Sequence, residues 1–122
     1  MGVLDGIVTA LFGRFLQRPK LSMKQGSGYH SDSMGLTVGV EIRNQGERKA
    51  WDTTVKATMD GKDVATVPVP EIPAEKTVTV TFQIPAGFCE RRPGVGQVPK
   101  GDVRIDLLYR KKRIGSFALQ MP

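Results

Sequence analysis

Strict alternation of apolar and polar residues is the feature that most constrains this chain. It is clearest in segment 77–84, where Val78, Val80, Phe82 and Ile84 alternate with Thr77, Thr79, Thr81 and Gln83. Segment 36–43 shows the same period of two. This pattern indicates β-strands with one buried and one solvent-facing side, as in antiparallel sheets that share a core. We therefore predict an all-β chain.

Weaker signals complete a set of seven predicted strands. They lie at 20–24, 36–43, 50–59, 64–69, 77–84, 103–109 and 117–121. Asp60-Gly61 predicts a tight hairpin. Pro68, Pro70 and Pro73 mark the segment that follows it as an edge strand or a crossing between sheets. Segments 25–35 and 85–101 are predicted to be loops, and Trp51 is predicted to lie in the core. These expectations describe a seven-stranded antiparallel immunoglobulin-like β-sandwich.

The N-terminal residues predict one amphipathic α-helix over 3–17. Its apolar face consists of Leu4, Ile7, Val8, Leu11, Phe12, Phe15 and Leu16. Small residues such as Gly6, Ala10 and Gly13 occupy the opposite face, which would let a second backbone approach. The chain is thus divided into a helix at 1–18 and a sandwich domain at 19–122. The helix could join a neighbouring subunit or partner, cap its own domain, or dock on a membrane surface.

The same segment does not have the pattern of a targeting signal or a membrane span. Asp5 lies near its start, no basic residue precedes the apolar part, and Arg14 interrupts it. Fifteen helical residues reach about 22 Å, whereas a bilayer core is about 30 Å thick. We therefore expect a protein of the cytoplasm, or of a particle assembled there.

Residues that could carry catalysis or bind a metal are sparse. Cys89 is the only cysteine, so no internal disulfide can form. His30 is the only histidine, and Asp32 beside it has no further ligand at metal-binding spacing. No nucleophile and base lie at a spacing that chemistry requires. We expect no enzyme activity, no catalytic residue, no metal and no cofactor.

Positive charge is concentrated toward the C-terminus, where residues 89–122 contain eight Lys and Arg against three Asp and Glu. The basic residues form two groups in the sequence, one in segment 85–101 and one at a predicted hairpin tip. The candidate anion contacts are Arg91, Arg92, Lys100, Arg110, Lys111, Lys112 and Arg113. Such residues predict binding of nucleic acid, another polyanion or an acidic subunit, or are solvated turns.

Segment 35–84 resembles the bacterial and archaeal cell-adhesion-related domain called CARDB. The resemblance rests on the strand and turn from Val38 to Asn44-Gln-Gly46, on Ala50 after the turn, on Asp60-Gly61, and on the strand from Thr77 to Phe82. Glu75 stands where the family usually has glycine. The resemblance implies a non-catalytic β-sandwich module. It carries over no functional residues, because the shared positions are turn and core positions.

Two functions remain open at this point. The first is a non-enzymatic structural or interaction module that joins a larger assembly, such as a homo-oligomer, a filament or a virion surface, through its helix and loops. The second is binding of nucleic acid or another polyanion through the two basic groups. A protein partner or self-association is the expected interaction, with a membrane surface as a less favoured one.

Overall fold

The protein is all-β in the part of the chain that the computed structural model describes, which is residues 20–120, with residues 27–30 and 32 described by their backbone alone. The strands are β1 (Leu21–Asp32), β2 (Gly35–Asn44), β3 (Thr53–Met59), β4 (Lys62–Val69), β5 (Thr77–Pro85), β6 (Cys89–Arg92), β7 (Gly96–Pro99), β8 (Val103–Tyr109) and β9 (Lys112–Ala118). A 3-10 helix at Ala86–Phe88 is the single helical element of this region.

Two larger antiparallel sheets enclose one apolar core. Their strand orders are β1-β2-β5 and β4-β3-β8-β9. The fully buried core side chains include Leu36, Val38, Val40 and Ile42 of β2, Ile84 of β5, Val55 of β3, and Ile105 and Leu107 of β8. Buried residues alternate with half-buried or exposed ones in β2 and β5, so the strands predicted at 36–43 and 77–84 are confirmed.

The structure also confirms the predicted Asp60-Gly61 turn and the edge position of the strand that contains Pro68. Asp60 and Gly61 both have positive φ, at 52° and 79°, as a type I′ hairpin requires. Strand β4 lies at the edge of its sheet, where the missing N–H of Pro68 can be tolerated. Glu75 has φ 60°, a left-handed conformation that glycine adopts at little cost, so the glycine usual in the CARDB pattern has a conformational reason here.

The loop predicted over 25–35 is wrong, because β1 continues through most of it. Tyr29 pairs with Val38 and His30 with Thr37, after an irregularity that follows Gln25. The register change brings Gly26 so close to Gly39 that an added Cβ would lie 3.0 Å from the Gly39 carbonyl oxygen. This glycine- and serine-rich stretch is extended because β2 supplies hydrogen-bond partners, which the local sequence does not indicate.

Segment 85–101 is also more ordered than predicted. After the 3-10 helix, β6 and β7 form a two-stranded hairpin in which Cys89 and Val98 are buried. The hairpin is attached to β1 through the backbone N–H of Gln97, which donates to Ser31 Oγ at 2.7 Å. The described residues therefore contain nine strands rather than the predicted seven.

The prediction that Trp51 lies in the core is wrong. Its side chain is 49% exposed, whereas the preceding Ala50 is fully buried and bridges to Ile72. Asp52 has φ 55°, and the strand predicted from residue 50 begins only at Thr53. A left-handed residue interrupts the alternation of sides, so Ala50 and Val55 face inward while Trp51 faces out.

Two predicted elements lie outside the described residues. These are the helix at 3–17, with all seven residues of its apolar face, and the end of the last predicted strand at Met121. Within residues 20–120 no helix is long and apolar enough to cross a membrane.

Candidate interaction site

A buried asparagine closes the end of the domain where β2 finishes. Asn44 Nδ2 donates to the carbonyl oxygens of Arg48 at 2.6 Å and Ile72 at 3.1 Å, and Asn44 Oδ1 accepts the Gly46 N–H at 3.0 Å. The Asn44 side chain is fully buried, so these bonds replace water for polar backbone groups inside the protein. They fix the segment that carries the chain from β2 into β3.

That segment presents Trp51 next to the hairpin between β8 and β9. The Arg110 guanidinium lies 4.9 Å from the centroid of the Trp51 ring, which is a cation–π distance. The backbone N–H of Arg110 also donates to the Asp52 carbonyl oxygen at 2.9 Å. Side-chain and backbone contacts therefore hold the two loops together, and we name this region the Trp51 end.

The four consecutive bases of the sequence divide between a turn and a strand. Arg110 and Lys111 form a two-residue turn with φ of 51° and 69°. Lys112 and Arg113 already belong to β9, where Tyr109 pairs with Lys112 and Leu108 with Arg113. All four side chains are exposed. Arg110 and Lys111 lie in the turn as predicted, whereas Lys112 and Arg113 lie in β9 rather than in the turn.

The chain enters the domain at this same end. The Gln45 N–H donates to the Lys20 carbonyl oxygen at 2.7 Å, and β1 starts at the next residue, opposite Asn44. Segment 1–19 is thus joined to the domain on the side where Trp51 and Arg110 lie.

A cleft of about 280 Å³ lies at the opposite end. Its wall contains the apolar residues Val98, Pro99, Val103 and Leu119, together with Arg92, Lys100, Gly101 and Asp102. The structure thus brings Arg92 and Lys100 of the predicted basic group to one cavity, whereas Arg91 does not line it. Arg92 is partly neutralised by Glu90, whose carboxylate lies 3.7 Å from its guanidinium, in an exposed pair that contributes little to stability.

The two basic groups of the sequence are not brought together. Strand β8 runs from the cleft to the Trp51 end, and its seven residues span about 20 Å at the usual rise of a strand. Lys100 precedes this strand and Arg110 follows it. They belong to separate surfaces.

Metal-binding side chains are not grouped in the described part of the chain. Among residues 20–26, 31 and 33–120, a set that leaves out His30 and Asp32, no three His, Cys, Asp or Glu side chains are placed to share a metal ion. Cys89 is buried, and this burial raises the pKa of its thiol, although a backbone hydrogen bond from Leu36 and the charge of Lys100 act in the opposite direction. A raised pKa makes the thiol less reactive at neutral pH.

Period-two alternation placed Trp51 on the buried side with Val55, Ala57 and Met59, but the left-handed Asp52 breaks that alternation. The CARDB pattern places an alanine after the turn, and Ala50 is indeed the buried residue. Asp at position 52 was a second signal, since Asp and Asn adopt left-handed conformations more readily than most residues do.

Comparison with known proteins identifies the family pattern over most of the described region. A family model, CARDB, matches residues 19–98, which runs from the entry of β1 through most of β7. No curated protein sequence matches the chain.

Partial matches to this chain occur within solved structures of larger enzymes. A β-glucosidase from Listeria innocua in complex with glucose is 18% identical over 83% of this chain and 16% of that chain, with a TM-score of 0.47. β-Glucosidase 3B from Thermotoga neapolitana in complex with glucose is 16% identical over 84% of this chain and 16% of that chain, with a TM-score of 0.49. The chain spans about a sixth of the length of these enzymes, so their activity is not transferred to it.

Proposed function

This chain belongs to the CARDB family, and from that premise we propose that it is a non-enzymatic structural and interaction module of a larger assembly. The assembly could be a homo-oligomer, a filament or a virion surface. The observation that carries the proposal is the exposed Trp51 with Arg110 stacked on it, at the end where segment 1–19 joins the domain. Aromatic and arginine side chains are the residues most enriched at protein interfaces.

In this proposal the three-stranded and four-stranded sheets together form the predicted seven-stranded immunoglobulin-like sandwich. The β6–β7 hairpin is then an addition that covers one end. Such a sandwich supports many functions, so the contact surface has to be argued from its residues rather than from the fold.

The predicted helix at 3–17 supplies the driving force for assembly. Burial of each large apolar side chain stabilises an interface by roughly 1.5–3 kcal/mol, and seven of them share one face. A surface of that size exposed to water promotes association. Because segment 1–19 joins at the Trp51 end, helix and exposed aromatic can contact the same neighbour.

Sedimentation of the full chain without detergent tests the proposal. We expect association that persists or strengthens with salt, as apolar contacts do. Leu11→Asp with Phe15→Asp should abolish it, whereas Thr9→Asp on the opposite face should weaken it less. A full chain that stays monomeric and captures no partner would rule out the assembly function.

A second candidate function is binding of a polyanion at the cleft. The convergence of Arg92 and Lys100 on one cavity favours it. Binding of nucleic acid or another polyanion should weaken steeply with salt, because phosphate contacts release counterions. Arg92→Gln with Lys100→Gln should remove this binding, and the matched variant Lys62→Gln should retain it. A salt-independent affinity would exclude the polyanion function.

A further inference from the structure

Backbone strain is concentrated at the Trp51 end. Five residues other than glycine have positive φ in the described region, and Asp52, Arg110 and Lys111 are three of them. Left-handed backbone is costly for a residue with a Cβ atom and persists only where the surroundings enforce it. Strain of this kind clusters at binding sites.

The strained residues orient one aromatic–cation pair. Asp52 interrupts the strand pattern so that Trp51 faces solvent, and its carbonyl oxygen accepts the Arg110 N–H at 2.9 Å. The Arg110 guanidinium is thereby held over the indole ring at 4.9 Å. An arginine restrained in this way loses little further entropy when it binds a partner.

This surface combines an apolar indole ring with positively charged side chains. Trp51 is 49% exposed, and Arg110 lies against its ring. The exposed bases Lys111 and Lys112 follow Arg110 in the turn and at the start of β9. None of the ion pairs among the described residues uses these three bases, whereas Lys49 is paired with Glu71 at 3.0 Å. The complementary ligand has carboxylates next to an apolar side chain.

The surrounding charges favour a short acidic segment over an extended polyanion or an anionic membrane. Exposed acids lie at the same end, namely Glu47, Asp52, Glu71 and Glu75. A nucleic-acid strand or a lipid surface needs a continuous basic area, but the other basic group lies about 20 Å away along β8. A peptide of a few residues needs no more than the indole and the basic turn, with Asp52 as the one acid beside them in the described region.

We propose that the Trp51 end binds an acidic segment of a protein partner, with an apolar side chain against the indole and carboxylates on Arg110 and Lys111. This inference rests on the proposed interaction function and names the chemistry of the partner. Arg110 binds through its planar fork of donors, which lysine cannot reproduce.

The single tryptophan of the chain provides a direct test, since its fluorescence reports only this surface. The full chain would be titrated with a short peptide of alternating Glu and Leu, and with the same peptide carrying Gln in place of Glu. We expect a saturable emission change with the first peptide only. Arg110→Gln, or Lys111→Gln with Lys112→Gln, should weaken binding by about tenfold or more, as loss of a central interface residue does. Lys100→Gln should leave it unchanged.

Two results would overturn the inference. One is the absence of any emission change with the acidic peptide. The other is tighter binding of a single-stranded oligonucleotide or of phosphatidylserine vesicles than of the peptide. Neither result bears on association of the full chain through the predicted helix at 3–17, which sedimentation measures separately. Failure of the inference and failure of the proposed function are therefore distinguishable.

Discussion

Arg110 lies with its guanidinium 4.9 Å from the centroid of the Trp51 ring, although the two residues are far apart in the sequence. The contact joins the segment before β3 to the turn after β8. The sequence predicts a buried tryptophan, but Trp51 lies at the surface, where Arg110 contacts its ring. The consequences for stability can be measured.

Trp51→Ala should cost about 1–2 kcal/mol of unfolding free energy, less than the about 3–5 kcal/mol of a buried aromatic. The reason is that half of the side chain is already in water. Phe82→Ala is the matched control, since Phe82 is 7% exposed and should show the larger loss. Urea unfolding measures both. An equal loss for the two variants would contradict the exposed position of Trp51.

Asn44→Ala should destabilise the domain by about 2–3 kcal/mol. The substitution removes the buried side-chain partner of the Gly46 N–H and of the Ile72 carbonyl, and the partly buried partner of the Arg48 carbonyl. Gln45→Ala, at an exposed neighbour, should change stability by about 0.5 kcal/mol or less. If both variants unfolded at the same urea concentration, the bonds of Asn44 would not be structural.

Glu75→Gly should stabilise the domain by up to about 1 kcal/mol. Glu75 has φ 60°, and glycine adopts that conformation without the clash of a Cβ atom. Lys76→Gly is the control, because its backbone is not left-handed and glycine there adds only unfolded-state entropy. Thermal unfolding of the two variants should shift in opposite directions.

Gly35→Ala should destabilise by about 3 kcal/mol or prevent folding. Gly35 has φ 138°, and an added Cβ would collide with the Ile84 carbonyl oxygen across the β2–β5 pair. Gly87→Ala introduces the same methyl group into open space and should be nearly neutral. A neutral Gly35→Ala variant would show that β2 does not start in this conformation.

Stability should decline at alkaline pH partly through Cys89. Burial raises the pKa of the thiol in the folded state, so the unfolded chain loses its proton first as pH rises. The contribution is fully present below the ordinary thiol pKa and is lost as pH rises through the folded one. The difference in unfolding free energy between the protein and Cys89→Ala should therefore be smaller above about pH 8.5 than at neutral pH. A constant difference would contradict the shift.

The sequence by itself determined the strands whose period-two pattern is locally complete. Segments 36–43 and 77–84 have apolar residues on one side only, and the Asp60-Gly61 turn needs nothing beyond its own backbone preferences. The CARDB resemblance was present in the same residues, because its motif consists of such local features.

Only the tertiary structure decided the rest, because those features depend on partners that are distant in the chain. β1 extends through a polar stretch since β2 provides its hydrogen bonds, and Ser31 attaches the β6–β7 hairpin. The left-handed Asp52 turns Trp51 outward and leaves Ala50 in the core. The two basic groups lie at opposite ends of β8, because one precedes the strand in the chain and the other follows it. The length of the extended strand therefore separates them.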